Sequence, residues 1–473
     1  MKPRLWLWGA IAAWAAGFAV LSISRHRAFE TGRFDLGNMT QAVWSTAHGH
    51  FLQVTNLEGH QVSRLGSHFD PILATLAPFW LAWPSPESLL VVQAASIALG
   101  ALPVFRLARR RLDSDRAALG LALAYLLYPA TQWLTLNELH AIAFATPLLL
   151  FAFDYLDQDR LVPFALFALL AIACKEEIGA VVAGFGIWYA LGRGRRFEGL
   201  VVAALGLAAS IVAVTIVIPH FHGGESPFGS RYRHAGVVDL FTARNAGYLA
   251  ELLVPVAAVP LLAPLALVAA LPEAGLNLLS RDQFQSSIRF HYTAGLIPPL
   301  VLATVLGCER LVRRGPAFRE AVAPVALVLG AVASASIGAV RVHGVEASPH
   351  DHAAERALRL VPSDAVVSAT NTLGAHLSAR RRILSFPVLH GAAWIAVDTT
   401  RLSYLDRSSG GARARAAYRR LRRDRSWRAV LDRSGIVVLR RRSPPTAVAR
   451  APAAGGRPQA ASPHARSVPR LAG

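Results

Sequence analysis

Asp35, Glu138, Lys175 and His291 are the residues around which chemistry could be built. Two carboxylates, an amine and an imidazole each stand in a short polar segment between long apolar runs. Asp35 opens Phe34-Asp35-Leu36-Gly37-Asn38, and Arg64-Leu-Gly-Ser-His68-Phe-Asp70-Pro71 follows it. The others lie in Asn137-Glu138-Leu139-His140, Lys175-Glu176-Glu177 and Arg289-Phe290-His291-Tyr292. A carboxylate can act as a general base, and ionisable groups at membrane depth are costly and tend to be functional. Each group also has a plainer reading. Asp35 could cap the helix expected over 39–48. Glu138 and His140 could be solvated loop residues, Lys175-Glu176-Glu177 a salt-bridged helix end, and His291-Tyr292 part of an interfacial aromatic belt.

The elements that would position these residues are membrane spans. Of 473 residues, 53% are hydrophobic and only 16% charged, against about 25% charged in soluble domains. That excludes a disordered or fibrous chain and argues against an ordinary cytosolic enzyme. A span needs about 20 mostly apolar residues. Candidate spans are 6–23, 88–107, 116–134, 141–156, 161–174, 178–191, 200–218, 293–311 and 321–340. The run 249–279 is cut by Pro255, Pro260, Pro264 and Pro272 and reads as two short spans or a broken re-entrant hairpin. Counted as two, it brings the total to about eleven. The first run has no small-residue cleavage site and reads as a retained anchor. The arginine-rich short loops at 109–111, 157–160, 192–196 and 310–314 place the N-terminus in the cytoplasm. All the candidate residues then fall in outward loops, the first of which covers 24–87. In it, 39–48 reads as a helix with Ala42, Val43 and Ala47 on one face and Gln41 and Ser45 turned away. The run 72–83 is too short to span and reads as an interfacial helix.

Beyond this membrane region (1–340), residues 341–442 read as a small extracytoplasmic α/β domain. Helices are expected at 353–360, 372–379 and 412–423. Strands are expected at 365–370, 382–386 and 393–398, with a hairpin around Asp432–Gly435. Residues 443–473, rich in Pro, Ala and Arg, read as a disordered tail. Residues 401–473 carry +15 of the total +20, so the basic balance belongs to one end and nucleic acid is not the expected partner. Two separated cysteines, Cys174 and Cys308, form no disulfide framework. His220, His222, His343, His350 and His352 lack the spacing of a metal site, and no metal or other cofactor is expected.

Phe34–Asn38, Ser67–Pro71, Lys175-Glu176-Glu177 and His291-Tyr292 resemble a family of predicted prokaryotic membrane proteins of unknown function with an FDLGN-type opening. The resemblance runs over roughly residues 30–400. That family is similar in layout to the C-type (GT-C) glycosyltransferases, which include protein O-mannosyltransferases and aminoarabinose transferases. The resemblance implies an acid in the first outward loop (Asp35), a surface helix before the second span, a second acid between spans three and four (Glu138) and a lysine after span five (Lys175). It departs from the pattern at Leu36, where a second adjacent acid is usual, and at Glu138, where Asp is commoner. It implies transfer of a sugar from a polyprenyl-phosphate donor to an acceptor hydroxyl outside a bacterial cell membrane. Asp35 and Glu138 are then the catalytic candidates. Asn38, Arg64, His68, Asp70, His140, Lys175, Glu177, Arg289, His291 and Tyr292 are the substrate-binding ones. The donor, the lipid bilayer and a glycan, lipid or protein acceptor are the implied partners. A non-catalytic membrane scaffold or lipid-binding protein is the alternative. A transporter fits less well, because the polar residues gather at one face and no internal repeat is seen.

Overall fold

The structure is a computed structural model and describes residues 2–224, 236–339, 345–403, 406–407 and 411–442. The expected disordered tail and His343 lie outside these residues.

The chain is mostly helical. Among the described residues, four helical stretches are long and apolar enough to cross a membrane: Pro3–Arg27, Pro86–Leu112, Arg196–His222 and Ala317–Ile337. A fifth is a pair, Asp115–Leu127 and Pro129–Leu136, bent by 45°. The bend has a local cause. Tyr128 precedes a proline, which disfavours the α region, and it adopts φ −63°, ψ 122°. Shorter apolar helices cover Pro71–Ala82, Ala141–Leu156, Leu161–Ile172, Ile178–Gly192 and Pro264–Leu279. Expected and observed helices correspond in position, but most of the expected eleven are shorter than a straight span. Prolines account for the irregular run after Leu253. Single turns over Val254–Val256 and Val259–Leu262 are joined by Ala257 and Ala258, both with φ near +50°. Ile178–Gly192 packs on the following helix through small residues. A Cβ on Gly186 would lie 2.6 Å from the carbonyl oxygen of Gly199, the close backbone approach typical of membrane helix pairs.

The first helix, Lys2–Arg27, carries Arg25 and Arg27 in its last turn, cations that suit a helix C-terminus. After it come a single π-type turn, Arg33–Gly37, a helix, Asn38–Ala47, and a two-stranded hairpin of β1 (Gln53–Thr55) and β2 (Gln61–Ser63). One expectation fails here. Gln41 and Ser45 do not face outward but are 2% and 3% exposed. Gln41 Nε2 donates to Thr55 Oγ1 (2.9 Å) and the Arg380 carbonyl (3.0 Å), and Ser45 Oγ to the Gln53 carbonyl (2.6 Å). Strand β1 and the segment at 380 cover that face and pair its polar groups, which helical periodicity alone cannot foresee.

The C-terminal unit is a five-stranded sheet: β3 (Val367–Ala369), β4 (Ile383–Ser385), β5 (Trp394–Asp398), β6 (Trp427–Arg433) and β7 (Ile436–Arg441), in spatial order β4-β3-β5-β7-β6. The first three strands are parallel and β7 is antiparallel to both its neighbours. Alternate residues serve the two faces. Val367, Ile383, Ala396 and Val438 pack under the helices Pro349–Leu358 and Asn371–His376. Leu384, Ile395, Val397 and Leu439 pack against the helix Gly411–Leu421. The β6–β7 turn has Ser434 and Gly435 at positive φ, as tight hairpins require.

This sheet unit is fastened to the first loop. Arg33 is 4% exposed. Its guanidinium donates to Ser385 Oγ (2.6 Å), the Thr55 carbonyl (2.7 Å) and the Ile383 carbonyl (2.8 Å). Asn371 Oδ1 accepts the Phe34 N–H at 3.3 Å. Gly37 lies so close that a Cβ there would sit 2.5 Å from Ser378 Oγ.

Candidate functional site

Asp35 sits in the turn Arg33–Gly37, between the first helix, the sheet unit and the loop at 137–140. Its side chain is 44% exposed and makes no helix-cap bond. Oδ1 lies 3.3 Å from His140 Nε2. Burial pushes the Asp35 carboxyl up, but the His140 hydrogen bond and the His140 and Arg64 charges outweigh it and hold it below the usual carboxylate range.

Glu138 holds the turn. Its Oε2 accepts the N–H groups of Gly32 and Leu36, both at 3.0 Å. Burial and the nearby Asp35 charge push its carboxyl up to about 8. Glu138 itself has φ +51°, a strained conformation for a residue with a side chain. Gln93, from the span Pro86–Leu112, keeps it there. Its amide nitrogen donates to the Thr135 and Glu138 carbonyls, and its oxygen accepts the His140 N–H.

Two imidazoles follow. His140 Nδ1 lies 2.7 Å from the Asn137 carbonyl. Since that carbonyl and the Asp35 carboxylate are both acceptors, both contacts are hydrogen bonds only when the ring carries two protons. His140 stacks on His291 with centroids 3.8 Å apart, and Asn137 Oδ1 accepts the His291 N–H at 3.0 Å. Burial, helped by the neighbouring His140 and Lys175 charges, holds His291 well below the ordinary histidine range.

The remaining charges come in pairs. Lys175 Nζ is 2.8 Å from Glu177 Oε1 and 5.7 Å above the Tyr292 ring. Glu176 receives His68 Nδ1 at 2.9 Å and the Phe69 N–H at 3.0 Å. Burial opposes its charge, but His68 and Lys175 prevail and hold it at about 2. Arg64 Nε and Asp70 Oδ2, 2.9 Å apart and almost fully buried, form an internal ion pair.

Two cavities share residues of this group, and a third lies on the side of the first loop. A small one of about 40 Å³ is bounded by Arg64, His68, Asp70, His140, Lys175 and His291. His68 and Lys175 also border a larger, mainly apolar cavity of about 410 Å³, lined further by Glu177, Val214, Leu276 and Tyr292. On the side of the first loop, a polar cavity of about 520 Å³ is lined by Arg33, Asn38, Thr55, Ser67 and His222. The structure therefore brings together Asp35, Arg64, His68, Asp70, His140, Lys175, Glu177, His291 and Tyr292, with Glu138 behind Asp35. Asn38 faces the polar cavity. Arg289 stands apart, exposed, 5.6 Å over the Trp133 ring. Among the described residues no three His, Cys, Asp or Glu side chains are grouped to hold a metal. His350 instead pairs with Asp398 at 2.7 Å. Sequence reasoning passed over Gln93, Asn137 and Glu176. Gln93 carried a usable signal, a lone amide inside an apolar span.

Removing His140 tests the electrostatics of Asp35. In His140→Ala the burial penalty loses its main opponent, so the Asp35 pKa should rise. Activity that needs the carboxylate should then lose its acid limb at a higher pH than in the wild type. A pH–rate profile whose acid limb stays in place would detach Asp35 from His140.

A polytopic helical membrane protein with a carboxylate-bearing first loop under a small sheet unit is the class these features define. The chain belongs to the predicted membrane protein family DUF2079, which it matches over residues 25–438. No curated protein sequence matches it. In fold it is similar to the crystal structure of ArnT from Cupriavidus metallidurans in the apo state. The identity is 13%, the TM-score 0.58, and the match covers 93% of this chain and 98% of that one.

Proposed function

We propose that the protein is a glycosyltransferase of a bacterial cell membrane that moves a sugar from a polyprenyl-phosphate donor to an acceptor hydroxyl. The observation that carries this reading is the position of Asp35. A half-exposed carboxylate held below its usual pKa lies next to a cationic pocket, and that pocket opens on an apolar cavity. In the reaction the acceptor hydroxyl oxygen attacks the anomeric carbon and Asp35 takes its proton. The bond from that carbon to the phosphate oxygen breaks, and its electron pair leaves with the phosphate. Attack opposite the leaving group inverts the anomeric carbon. Lys175, Arg64 and His68 supply positive charge on the leaving side. The apolar cavity takes the start of the polyprenyl chain, and the polar cavity beside Asn38 takes the acceptor. In this reading the shorter helices also cross the bilayer, for about eleven spans. The N-terminus is cytoplasmic, and the loop 24–87 and the unit 341–442 lie outside.

Lys175 is paired with Glu177 in the free protein, so a phosphate must displace that partner. Burial pushes the Glu177 carboxyl above the usual range, which makes its charge easier to neutralise. Lys175→Ala should weaken binding of undecaprenyl phosphate by about ten- to a hundredfold, the worth of one charge-assisted hydrogen bond. Glu177→Gln should strengthen it. Both are read by titrating the lipid phosphate into purified protein. Unchanged binding in Lys175→Ala would remove the phosphate role of Lys175.

A further inference from the structure

A second basic pocket lies at the other end of the bundle. The helices Ile178–Gly192 and Ile297–Val312 both start at the site, just after Lys175–Glu177 and His291-Tyr292. At 1.5 Å per residue the first of them carries the chain about 22 Å away. There the two helix ends and the end of Ala101–Leu112 enclose a cavity of about 260 Å³. Four guanidinium groups border it, those of Arg111, Arg193, Arg310 and Arg313, with a single carboxylate, Glu309. Glu309 is shared between Arg111 (3.4 Å) and Arg313 (2.6 Å), and Arg111 also pairs with Asp157. Arg193 is held by Asp159 at 2.8 Å. Arg310 donates to the Leu262 carbonyl and, among the described residues, forms no ion pair. The wall between these cations is apolar, with Trp188 5% and Leu306 8% exposed.

We propose that this pocket binds the phosphodiester headgroup of an anionic phospholipid. Three features select that ligand. The lining carries four guanidinium groups to one carboxylate, and Arg310 forms no ion pair among the described residues, which favours an anion. Guanidinium forks match phosphate oxygens two at a time. The apolar wall at a helix-bundle end suits a glycerol backbone and the start of an acyl chain more than a free ion. Basic pockets between membrane helices bind lipid headgroups in this way. The site shares no residue with the cavities bordered by His68 and Lys175, and its occupation does not depend on the reaction proposed there.

The full-length protein in phosphatidylcholine nanodiscs, with and without added cardiolipin, provides the test. Cardiolipin should raise the thermal unfolding midpoint of the wild type. In the double variant Arg310→Ala/Arg313→Ala its apparent affinity should fall at least tenfold, with an unchanged midpoint in phosphatidylcholine alone. Arg310→Gln, a milder change at the guanidinium without an ion pair, should give a smaller loss and serves if the double variant does not fold. Inorganic phosphate in phosphatidylcholine nanodiscs should leave the midpoint where it was. Equal cardiolipin responses in wild type and variants would overturn the proposal. A phosphate response as large as that of cardiolipin would also overturn it and make the pocket a free-anion site.

Discussion

Asp35→Asn is expected to lower sugar transfer by about 10²–10⁴-fold, the usual worth of general-base assistance. The substitution keeps the shape of the side chain and can still meet His140, so the turn Arg33–Gly37 stays in place. The loss should appear in turnover at saturating donor and leave donor binding unchanged, because the proposed reaction sets Asp35 against the attacking hydroxyl and not the phosphate. Membrane insertion and the thermal midpoint should match the wild type. Turnover close to wild type would reduce Asp35 to a partner of His140 and remove the proposed chemistry from this loop.

Glu138 is expected to respond differently to two substitutions. Glu138→Ala leaves the N–H groups of Gly32 and Leu36 without their acceptor, at about 1–3 kcal/mol for each unsatisfied group. The turn should loosen and transfer should fall by about 10²-fold or more, although Glu138 need not touch substrate. Glu138→Gln keeps one oxygen for both donors and resembles the protonated acid, so activity should stay within a few-fold of wild type. A large loss in Glu138→Gln would make the carboxylate itself part of the chemistry. The sign of the pH effect on stability follows from the same residue. Folded Glu138 titrates at about 8, above the ordinary 4.5. Between those values the unfolded chain releases a proton that the folded chain keeps. The Glu138 contribution to stability is complete below 4.5 and is lost as pH rises to about 8. Melting midpoints from pH 5 to 8 should fall less steeply in Glu138→Gln than in the wild type.

Much of this arrangement is written in local patterns. The four prolines of 249–279 announce a broken run, and the chain there passes through single turns at 254–256 and 259–262 before the helix Pro264–Leu279. Short β-rich stretches at 365–370, 382–386 and 393–398 reappear as β3, β4 and β5, because alternation and β-branched content act over a few residues. What could not be read was long-range. The sheet order β4-β3-β5-β7-β6 depends on pairing between distant segments. Gln41 looks like a surface residue until β1 and the segment at 380 close over it. The site was legible as a set of residues in polar segments, since membrane depth makes each of them conspicuous. The division of labour within it was not. Glu138 looks like a second acid beside Asp35, and only the backbone N–H groups of Gly32 and Leu36 identify it as the brace of the turn.

The bonds of Arg33 to Ser385 and Ile383, and of Phe34 to Asn371, join groups 337 to 352 positions apart in the chain. A ribosome therefore makes the Asp35 turn early and its fasteners near the end. During that interval the first helix can enter the bilayer and the other helices can assemble, but of the three acceptors of Arg33 only the Thr55 carbonyl has been made. The carboxylate reaches its working geometry only when β3–β5 and the helix Asn371–His376 have folded and docked. A chain cut short before 367 would be a membrane protein of ordinary appearance with an unfinished centre. The full set of contacts around the first loop thus requires synthesis of nearly the whole polypeptide.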